Sequence, residues 1–142
     1  MNLIDIPNFI KTYITKREKS LFENDIETHK AILSEKIAGK SVLVIGGAGT
    51  IGSSYIKAIL KFKPGKLYVV DTNENGLTEL TRQLRSDANL FVPEDFKTYP
   101  MNFGDPVFKK MFLAEDRFHI VANFAAHKHV RSEKDKYSIE AM

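Results

Sequence analysis

A glycine-rich turn between an apolar run and a helix-like segment constrains the fold of this chain more than any other feature. The run Val42-Leu43-Val44-Ile45 leads into Gly46-Gly47-Ala48-Gly49-Thr50-Ile51-Gly52, and a helical pattern follows over Ser53–Phe62. In a strand–turn–helix context, such glycines allow a tight turn, close backbone approach to a pyrophosphate, and helix packing on the sheet. The phosphates then meet free N–H groups at the helix N-terminus. The turn therefore predicts a dinucleotide-binding site.

An acidic residue after the second apolar run supports the same interpretation. Leu67-Tyr68-Val69-Val70 ends in Asp71, nineteen residues after Gly52. Dinucleotide-binding folds place the carboxylate that binds the adenosine ribose at about this distance. The glycines fit two spacings, GxGxxG starting at Gly47 and GxxGxxG starting at Gly46. The sequence leaves that choice open, together with the alternative of a purely structural turn and a solvated Asp71.

The apolar runs predict an α/β fold, a Rossmann-like doubly wound parallel sheet of about four strands in the order 3-2-1-4, preceded by N-terminal helices. Pro100 cannot donate to a strand ladder, which indicates that the third strand lies at an edge. The first helix is expected to pack through Ile51, Tyr55 and Ile59. The later predicted elements are a helix over Asn75–Ser86, a strand over Thr98–Phe103, a helix over Asp105–Leu113, a strand over His119–Ala125 that is apolar on both faces, and a helix from Lys136.

The chain is expected to divide into an N-terminal helical extension, residues 1–38, and an NAD(P)-binding Rossmann domain, residues 39–142. Residues 3–37 contain no glycine, and Leu3, Ile6, Ile10 and Ile14 recur at helical spacing. This periodicity predicts one or two amphipathic helices. Their apolar faces would be buried either by packing onto the domain or by a subunit contact.

Composition excludes several classes of function. The net charge of +3 is spread evenly, since residues 1–40, 41–104 and 105–142 each carry seven Lys/Arg and six Asp/Glu. We therefore expect no nucleic-acid partner. The absence of cysteine excludes disulfides and thiolate zinc sites. No apolar run is long enough to span a membrane, so we expect a cytoplasmic protein without a membrane partner and interpret Lys16-Arg17-Glu18-Lys19 as a solvated helix end.

A second chemical signal follows the predicted fourth strand, in the segment Asn123–Val130. Ligands of open α/β sheets bind at the switch between the first and fourth strands, and the small pair Ala125-Ala126 would let a cofactor lie against the backbone there. His127 and His129 are candidates for a general acid or base, a metal pair or surface histidines. Because no third ligand lies nearby, no metal site is predicted. Lys128 either meets a phosphate or sugar oxygen or is solvated.

Together these motifs resemble the extended short-chain dehydrogenase/reductase superfamily, in its branch of bacterial polysaccharide-biosynthesis nucleotide-sugar 4,6-dehydratases and epimerases. The GxxGxxG spacing and the stretch NFAAHKHVRSEKDKYSIEAM carry the resemblance, which covers residues 41–142. That stretch is similar to the family pattern AAxKHVP, followed by a Glu and a helix rich in small residues. The chain departs from the family at Ile45, where Thr is usual, and at Arg131, where Pro is usual.

The resemblance implies a role for each matching residue. The pyrophosphate would be held by Gly46, Gly49, Thr50, Ile51 and Gly52. Asp71 would bind the adenosine ribose and favour NAD over the alternative NADP, because a carboxylate repels a 2′-phosphate. Asn102 and Phe103 would lie around the adenine, and Ala125 and Ala126 would face the nicotinamide. The candidates that would face the sugar substrate are Lys128 and Glu133, although Glu133 also suits a helix N-terminus.

The family's catalytic signature, a Tyr followed four positions later by a Lys, is absent from the five tyrosines of this chain. We therefore expect the N-terminal part of a longer, homo-oligomeric enzyme acting on a UDP-N-acetylhexosamine-type nucleotide sugar, truncated before its catalytic strand and helix and inactive alone. The alternatives are a non-catalytic dinucleotide-binding or sensor module and a reductase of the same fold with another substrate. An unpaired fourth strand would favour dimerisation or aggregation through its edge.

Overall fold

The structure, a computed structural model, describes residues 5–17, 19–126 and 136–140. Its internal contacts divide the chain into two units between Glu35 and Lys36. The boundary expected from the sequence, between residues 38 and 39, stays a prediction. In the first unit, α1 (Ile6–Phe9) continues as a π-helical segment (Ile10–Thr15), and α2 (Glu23–Thr28) follows. The next helix, α3 (Lys30–Ile37), crosses the boundary between the units.

The structure confirms N-terminal helices, but the prediction of one or two over residues 3–37 is wrong in continuity. The expected burial of their apolar faces, by packing onto the domain or by a subunit contact, stays a prediction. Lys16 adopts a left-handed conformation with a φ of 50°, and among the described residues helix resumes only at Glu23. The predicted apolar stripe does form, but its described members Ile6, Ile10 and Ile14 are exposed. The described part of the π-helical segment and of α2 buries no residue. Helical spacing therefore placed these residues on one face without specifying what covers it.

The second unit contains a four-stranded parallel sheet, in the order β3-β2-β1-β4. Its elements in chain order are β1 (Ser41–Ile45), α4 (Thr50–Leu60), β2 (Lys66–Asp71), α5 (Glu74–Ser86), β3 (Asp95–Pro100), α6 (Pro106–Ala114), β4 (Ile120–Asn123) and α7 (Lys136–Glu140). Right-handed crossovers place α4 and α5 on one face and α6 on the other. This arrangement confirms the predicted doubly wound α/β fold and its strand order.

The core lies on both faces of β1 and β2, because alternate side chains of a strand point to opposite faces. Leu43, Ile45, Tyr68 and Val70 form a buried cluster against Phe108 and other α6-side residues. On the opposite face, α4 buries Ile56, Ile59 and Leu60, and α5 buries Leu77, Leu80 and Leu84. The three leucines of α5 recur at the three- and four-residue spacing that places side chains on one helix face.

Local predictions for three elements of the second unit are wrong. The helix α4 begins at Thr50 rather than Ser53, and Ile51 is 71% exposed instead of packing inward. β3 covers Asp95–Pro100 rather than Thr98–Phe103, since its pairing with β2 brings Asp95 opposite Lys66 and leaves Pro100 at the strand end. β4 is not apolar and buried on both faces, because its residues alternate between half-buried and exposed and Val121 is 49% exposed.

A polar network ties the amino-terminal end of β2 to its neighbours. Lys66 Nζ donates to Glu115 Oε2 over 2.8 Å and lies 3.5 Å from Asp95. The Tyr68 hydroxyl donates to Glu115 Oε1 over 3.2 Å and contacts the Lys97 ammonium closely. The hydrogen bond from Lys66 lowers the pKa of Glu115, and the same bond raises the pKa of Lys66. This network lies at the amino-terminal ends of the strands, away from their carboxyl ends.

Candidate functional site

A cleft of about 570 Å³ opens at the carboxyl ends of all four strands. Ligands of open α/β sheets bind at this edge, where the strand order reverses between β1 and β4. The structure brings seven of the ten predicted cofactor-binding residues together as lining of the cleft. These are Gly46, Gly49, Asp71, Asn102, Phe103, Ala125 and Ala126.

Gly46 joins β1 to the glycine turn at the point where the chain leaving β4 passes closest. It has a φ of +76°, and a Cβ added there would lie 2.5 Å from Ala125 N and 2.7 Å from the carbonyl carbon of Phe124. Its N–H donates to Val70 O over 2.7 Å, which extends the β1–β2 ladder into the turn. Only glycine satisfies both the left-handed backbone and this close approach. The turn and the segment after β4 therefore form two adjacent walls of the cleft.

The packing of α4 on the turn depends on two buried glycines. A Cβ on Gly52 would overlap Gly46 O and lie 2.8 Å from Gly47 Cα. A Cβ on Gly47 would overlap a methyl of Val69 and lie 3.1 Å from Ile56 Cδ1. Gly46 and Gly47, which begin the two alternative sequence spacings, therefore both have steric roles.

Gly49 is different, because none of the described residues requires it to lack a side chain. It is the N-cap residue of α4, and the nearest atom to an added Cβ would be Gly46 O, at an ordinary 3.6 Å. No side chain of a described residue caps this helix. The N–H groups of the first turn have no intrahelical acceptor, and this helix end carries a partial positive charge. Gly49 thus gives a ligand in the cleft open access to the helix N-terminus.

The predicted residues Thr50, Ile51 and Gly52 form the first turn of α4 and do not line the cleft. Thr50 and Ile51 are exposed, and Gly52 is buried against the turn. The side chains of Thr50 and Ile51 therefore contribute little to binding a ligand in the cleft. What they contribute to this edge of the sheet is the set of backbone N–H groups at the helix N-terminus.

Asp71 ends β2 and lines the cleft beside the glycine turn. Its Oδ2 accepts a hydrogen bond from Ala48 N over 2.9 Å, and its Oδ1 accepts one from Asn73 N over 2.9 Å. An ionised carboxylate has about four acceptor positions, so each oxygen keeps one for a ligand hydroxyl. The two backbone bonds hold the carboxylate between the glycine turn and the start of α5.

The segment after β3 supplies a polar and an aromatic wall. Asn102 Oδ1 accepts a hydrogen bond from Gly104 N over 2.8 Å, and this bond leaves the two side-chain amide donors of Asn102 uncommitted to that turn. Phe103 is partly exposed, and its ring meets Phe108 edge-on with centroids 6.5 Å apart. An amide and an accessible ring side by side suit a flat, nitrogen-containing ring system.

Sequence reasoning missed five residues that line the cleft, namely Ile45, Val70, Thr72, Met101 and Phe124. Each of the five lies at or just after the carboxyl end of a strand, which is the signal that could have found them, because ligands of open α/β sheets bind there. The Phe124 ring packs on Tyr55 of α4, with centroids 5.1 Å apart, and burial raises the pKa of Tyr55. This contact fixes the segment that leaves β4 against α4.

Several predicted residues cannot be placed. Lys128, Glu133, His127 and His129 lie outside the described residues. Within residues 5–17, 19–126 and 136–140, no group of three or more His, Asp or Glu side chains is arranged to hold a metal ion. In the same ranges, every helix is too short or too polar to cross a membrane.

Fold and cleft together define an α/β protein of the Rossmann-like class. The chain belongs to the family described as polysaccharide biosynthesis protein, whose sequence profile matches residues 42–142. The relatives include the "Probable polysaccharide biosynthesis protein EpsC" of Bacillus subtilis (strain 168), 29% identical over 115 residues. The "Capsular polysaccharide biosynthesis protein CapD" of Staphylococcus aureus is 26% identical over 113 residues.

The similarity covers a small part of these longer proteins. The matched region is 81% of this chain but 19% of EpsC, and 80% of this chain but 18% of CapD. Among solved structures, the X-ray structure of Pen from Bacillus thuringiensis superposes with a TM-score of 0.54 at 28% identity, covering 66% of this chain and 27% of that chain. The chain thus spans about a fifth of the length of the curated relatives it matches.

Proposed function

We propose that this chain is the NAD(P)-binding N-terminal part of a nucleotide-sugar 4,6-dehydratase or epimerase that works in surface polysaccharide biosynthesis. Membership of the polysaccharide biosynthesis protein family and the cleft at the carboxyl ends of the strands support this proposal. The substrate of the longer enzyme would be a UDP-N-acetylhexosamine-type nucleotide sugar. The division into an N-terminal extension and a nucleotide-binding domain belongs to the same proposal.

The observation that carries the proposal is the uncapped N-terminus of α4 beside Gly49. The backbone N–H groups of the first turn lack intrahelical acceptors, and Gly49 leaves space that no atom of the described residues occupies. A pyrophosphate fits such a place, because it accepts several N–H bonds and its negative charge meets the positive helix end. A purely structural turn would need Gly46, Gly47 and Gly52, but not Gly49.

Asp71 would recognise the adenosine ribose. Its two backbone hydrogen bonds occupy one acceptor position on each carboxylate oxygen and leave the other positions open. Two ribose hydroxyls could donate to these open positions. A 2′-phosphate in the same place would meet a fixed negative charge, which favours NAD over NADP. Asn102 and Phe103 would then contact the adenine, and Ala125 and Ala126 the nicotinamide half.

A nicotinamide cofactor, when bound, accepts and returns a hydride. The residues of this chain would bind and orient the dinucleotide along the ends of β1, β2 and β4. Proton transfer at the sugar would need a Tyr–Lys pair spaced as in the family, and the sequence contains none. We therefore propose that the 142 residues bind the cofactor and do not turn over a nucleotide sugar by themselves.

Calorimetry with NAD and NADP tests the proposal directly. The unaltered chain should bind NAD more tightly than NADP. Gly49→Ala should weaken NAD binding by about ten- to a hundredfold, the equivalent of losing one hydrogen bond to a charged group. Ser54→Ala, a change of similar size on the exposed side of the same helix, is the matched control and should bind NAD like the unaltered chain.

The thermal midpoint of each variant separates binding from folding. Gly49→Ala should melt within a few degrees of the unaltered chain, because no protein atom obstructs the new methyl group. The proposal fails if the folded, unaltered chain binds neither dinucleotide, or if Gly49→Ala binds NAD as tightly as Ser54→Ala does. Turnover of UDP-N-acetylglucosamine by the 142-residue chain would contradict the division of labour proposed here.

A further inference from the structure

The first unit carries an apolar stripe that the described part of that unit leaves exposed. Ile6, Phe9, Ile10, Tyr13 and Ile14 recur at the spacing of one helical face. All five are exposed, and the rings of Phe9 and Tyr13 lie together with centroids 5.1 Å apart. A face with aliphatic and aromatic side chains and a tyrosine is typical of helices that lie in the interfacial layer of a membrane.

A small pocket of about 290 Å³ lies immediately after this stripe. Two cationic, two hydroxyl and two large apolar side chains line it, namely Arg17, Lys19, Thr15, Ser20, Leu21 and Phe22. The apolar pair is strongly exposed, Leu21 to 71% and Phe22 to 67%. Cations and free hydroxyl donors bind phosphate oxygens. The Thr15 hydroxyl already donates to Ile10 O, which leaves Arg17, Lys19 and Ser20 as the donors. Exposed leucine and phenylalanine gain by leaving water. The pocket therefore combines the two chemistries that a phospholipid presents, an anionic headgroup above an acyl layer.

The charge of this stretch has the sign that such a surface requires. Lys11, Lys16, Arg17 and Lys19 outnumber the acidic Asp5 and Glu18, of which Glu18 lies outside the described residues. Lys19 also lies 4.0 Å from the carboxylate of Glu23. A basic, partly apolar stretch of this kind binds anionic lipid through apolar burial and electrostatic attraction together.

We propose that the described residues of the segment 5–22 form a docking surface for an anionic phospholipid bilayer, which they would lie on without crossing. The sequence alone led us to expect no membrane partner, because it interpreted the basic cluster as a solvated helix end. The exposed stripe and the mixed pocket beside that cluster change the interpretation. This inference concerns a different unit from the one that contains the cleft, and it does not depend on the proposed function.

A second copy of the chain fits this surface less well than lipid does. The stripe extends over about two and a half helical turns, from Ile6 to Ile14, whereas stable coiled coils need at least three heptads of apolar repeats. Two copies would also bring their cationic residues towards each other. Lipid covers the apolar residues and pairs the cations at the same time.

Co-sedimentation of the 142-residue chain with vesicles tests the proposal. We expect binding to phosphatidylcholine vesicles that contain a quarter phosphatidylglycerol, and binding at least tenfold weaker to pure phosphatidylcholine. Arg17→Gln with Lys19→Gln should weaken binding to the anionic vesicles about 25-fold, about fivefold for each charge near the surface. Leu21→Ser with Phe22→Ser should weaken it at least tenfold.

Matched variants on the second unit control for nonspecific effects. Leu113 is as exposed as Leu21, at 71%, so Leu113→Ser removes the same kind of side chain elsewhere. Lys109→Gln with Lys110→Gln removes two exposed charges from α6. Both controls should keep the affinity of the unaltered chain for anionic vesicles, and all variants should keep its thermal midpoint.

Four outcomes would overturn the proposal. The first is that the chain does not bind anionic vesicles, and the second is that it binds zwitterionic vesicles equally well. The third is that the α6 control variants lose as much vesicle binding as the variants of the docking surface. The fourth is that 10 mM inorganic phosphate displaces the chain completely from the vesicles, which would indicate a free-phosphate site. Light scattering adds a fifth, since a dimer that Leu21→Ser with Phe22→Ser converts to a monomer, without vesicle binding, would assign the surface to a second copy.

Discussion

Gly52→Ala gives the sharpest test of the packing at the glycine turn, because helix propensity and tertiary packing predict opposite signs. Within a helix, alanine is favoured over glycine by about 1 kcal/mol. Gly52 lies in the first turn of α4, so propensity alone predicts a more stable protein. The structure predicts a less stable one.

The magnitude follows from what the new methyl group would meet. Its Cβ would overlap Gly46 O, lie 2.8 Å from Gly47 Cα and lie 3.0 Å from the carbonyl carbon of Gly46. All three obstacles are backbone atoms, and the Gly46 N–H bond to Val70 O at 2.7 Å anchors them to the sheet. Forced overpacking costs about 1–3 kcal/mol or more. Taking the upper end and subtracting the propensity gain leaves a net loss of about 2 kcal/mol.

Thermal and urea unfolding measure this loss. For a unit of this size, 2 kcal/mol corresponds to a fall in the thermal midpoint of roughly 10 °C. Gly49→Ala is the matched control, since its Cβ has 3.6 Å of clearance and only the N-cap preference is lost, less than about 1 kcal/mol. A Gly52→Ala protein that unfolds at the same or a higher urea concentration than the unaltered chain would refute the packing argument.

Two further predictions concern the polar network around Glu115 and the edge strand β4. The lowered pKa of Glu115 gives stability that is fully present above its ordinary pKa of 4.5 and is lost as the pH falls through the folded-state value. Glu115→Gln should therefore be less stable than the unaltered chain at pH 7, and urea unfolding should show the difference disappearing in acid. In the unaltered chain, the raised pKa of Lys66 makes stability decline as the pH rises above 10.5. Glu115→Gln removes the largest cause of that raised pKa, so this decline should not appear in the variant. At the edge of the sheet that β4 forms, the chain should self-associate, and light scattering at high concentration should detect this. Val121→Lys should reduce the association, because a charged edge strand resists pairing. A monodisperse monomer of the unaltered chain would contradict this prediction.

Much of the second unit could be predicted from local sequence. Apolar runs separated by helical periods indicated the alternating strands and helices of a doubly wound sheet, and the three leucines of α5 point inward as their spacing requires. These features depend on residue neighbours a few positions apart, which a sequence displays directly. The bounds of β3 could not be read in this way. Asp95 and Lys97 are polar, and the strand includes them because pairing with β2 extends to Lys66.

The candidate cleft was predictable where residues carry a recognisable chemistry and unpredictable where they do not. The glycines and Asp71 were found by motif and spacing, and Asn102 was found through the resemblance to the family. Val70 and Met101 were missed, because apolar residues at strand ends look like any other core residue until the sheet is assembled. Ile51 was expected to be inward on helical spacing, yet the first turn of α4 extends beyond the sheet and leaves it exposed.

By itself, the sequence determined the glycine turn, the hydrophobic periods and the acidic end of the second strand, because each is written within a short stretch of chain. Only the tertiary structure decided which of these features meet. Pairing of β1 with β4 sets Ile45 beside Asn123, and this brings Gly46 against Ala125 across 79 positions of sequence. Within the described part of the chain, it also revealed that Gly49, unlike Gly46, Gly47 and Gly52, leaves space that no other atom occupies. Such contacts depend on distances between strands that no local pattern records.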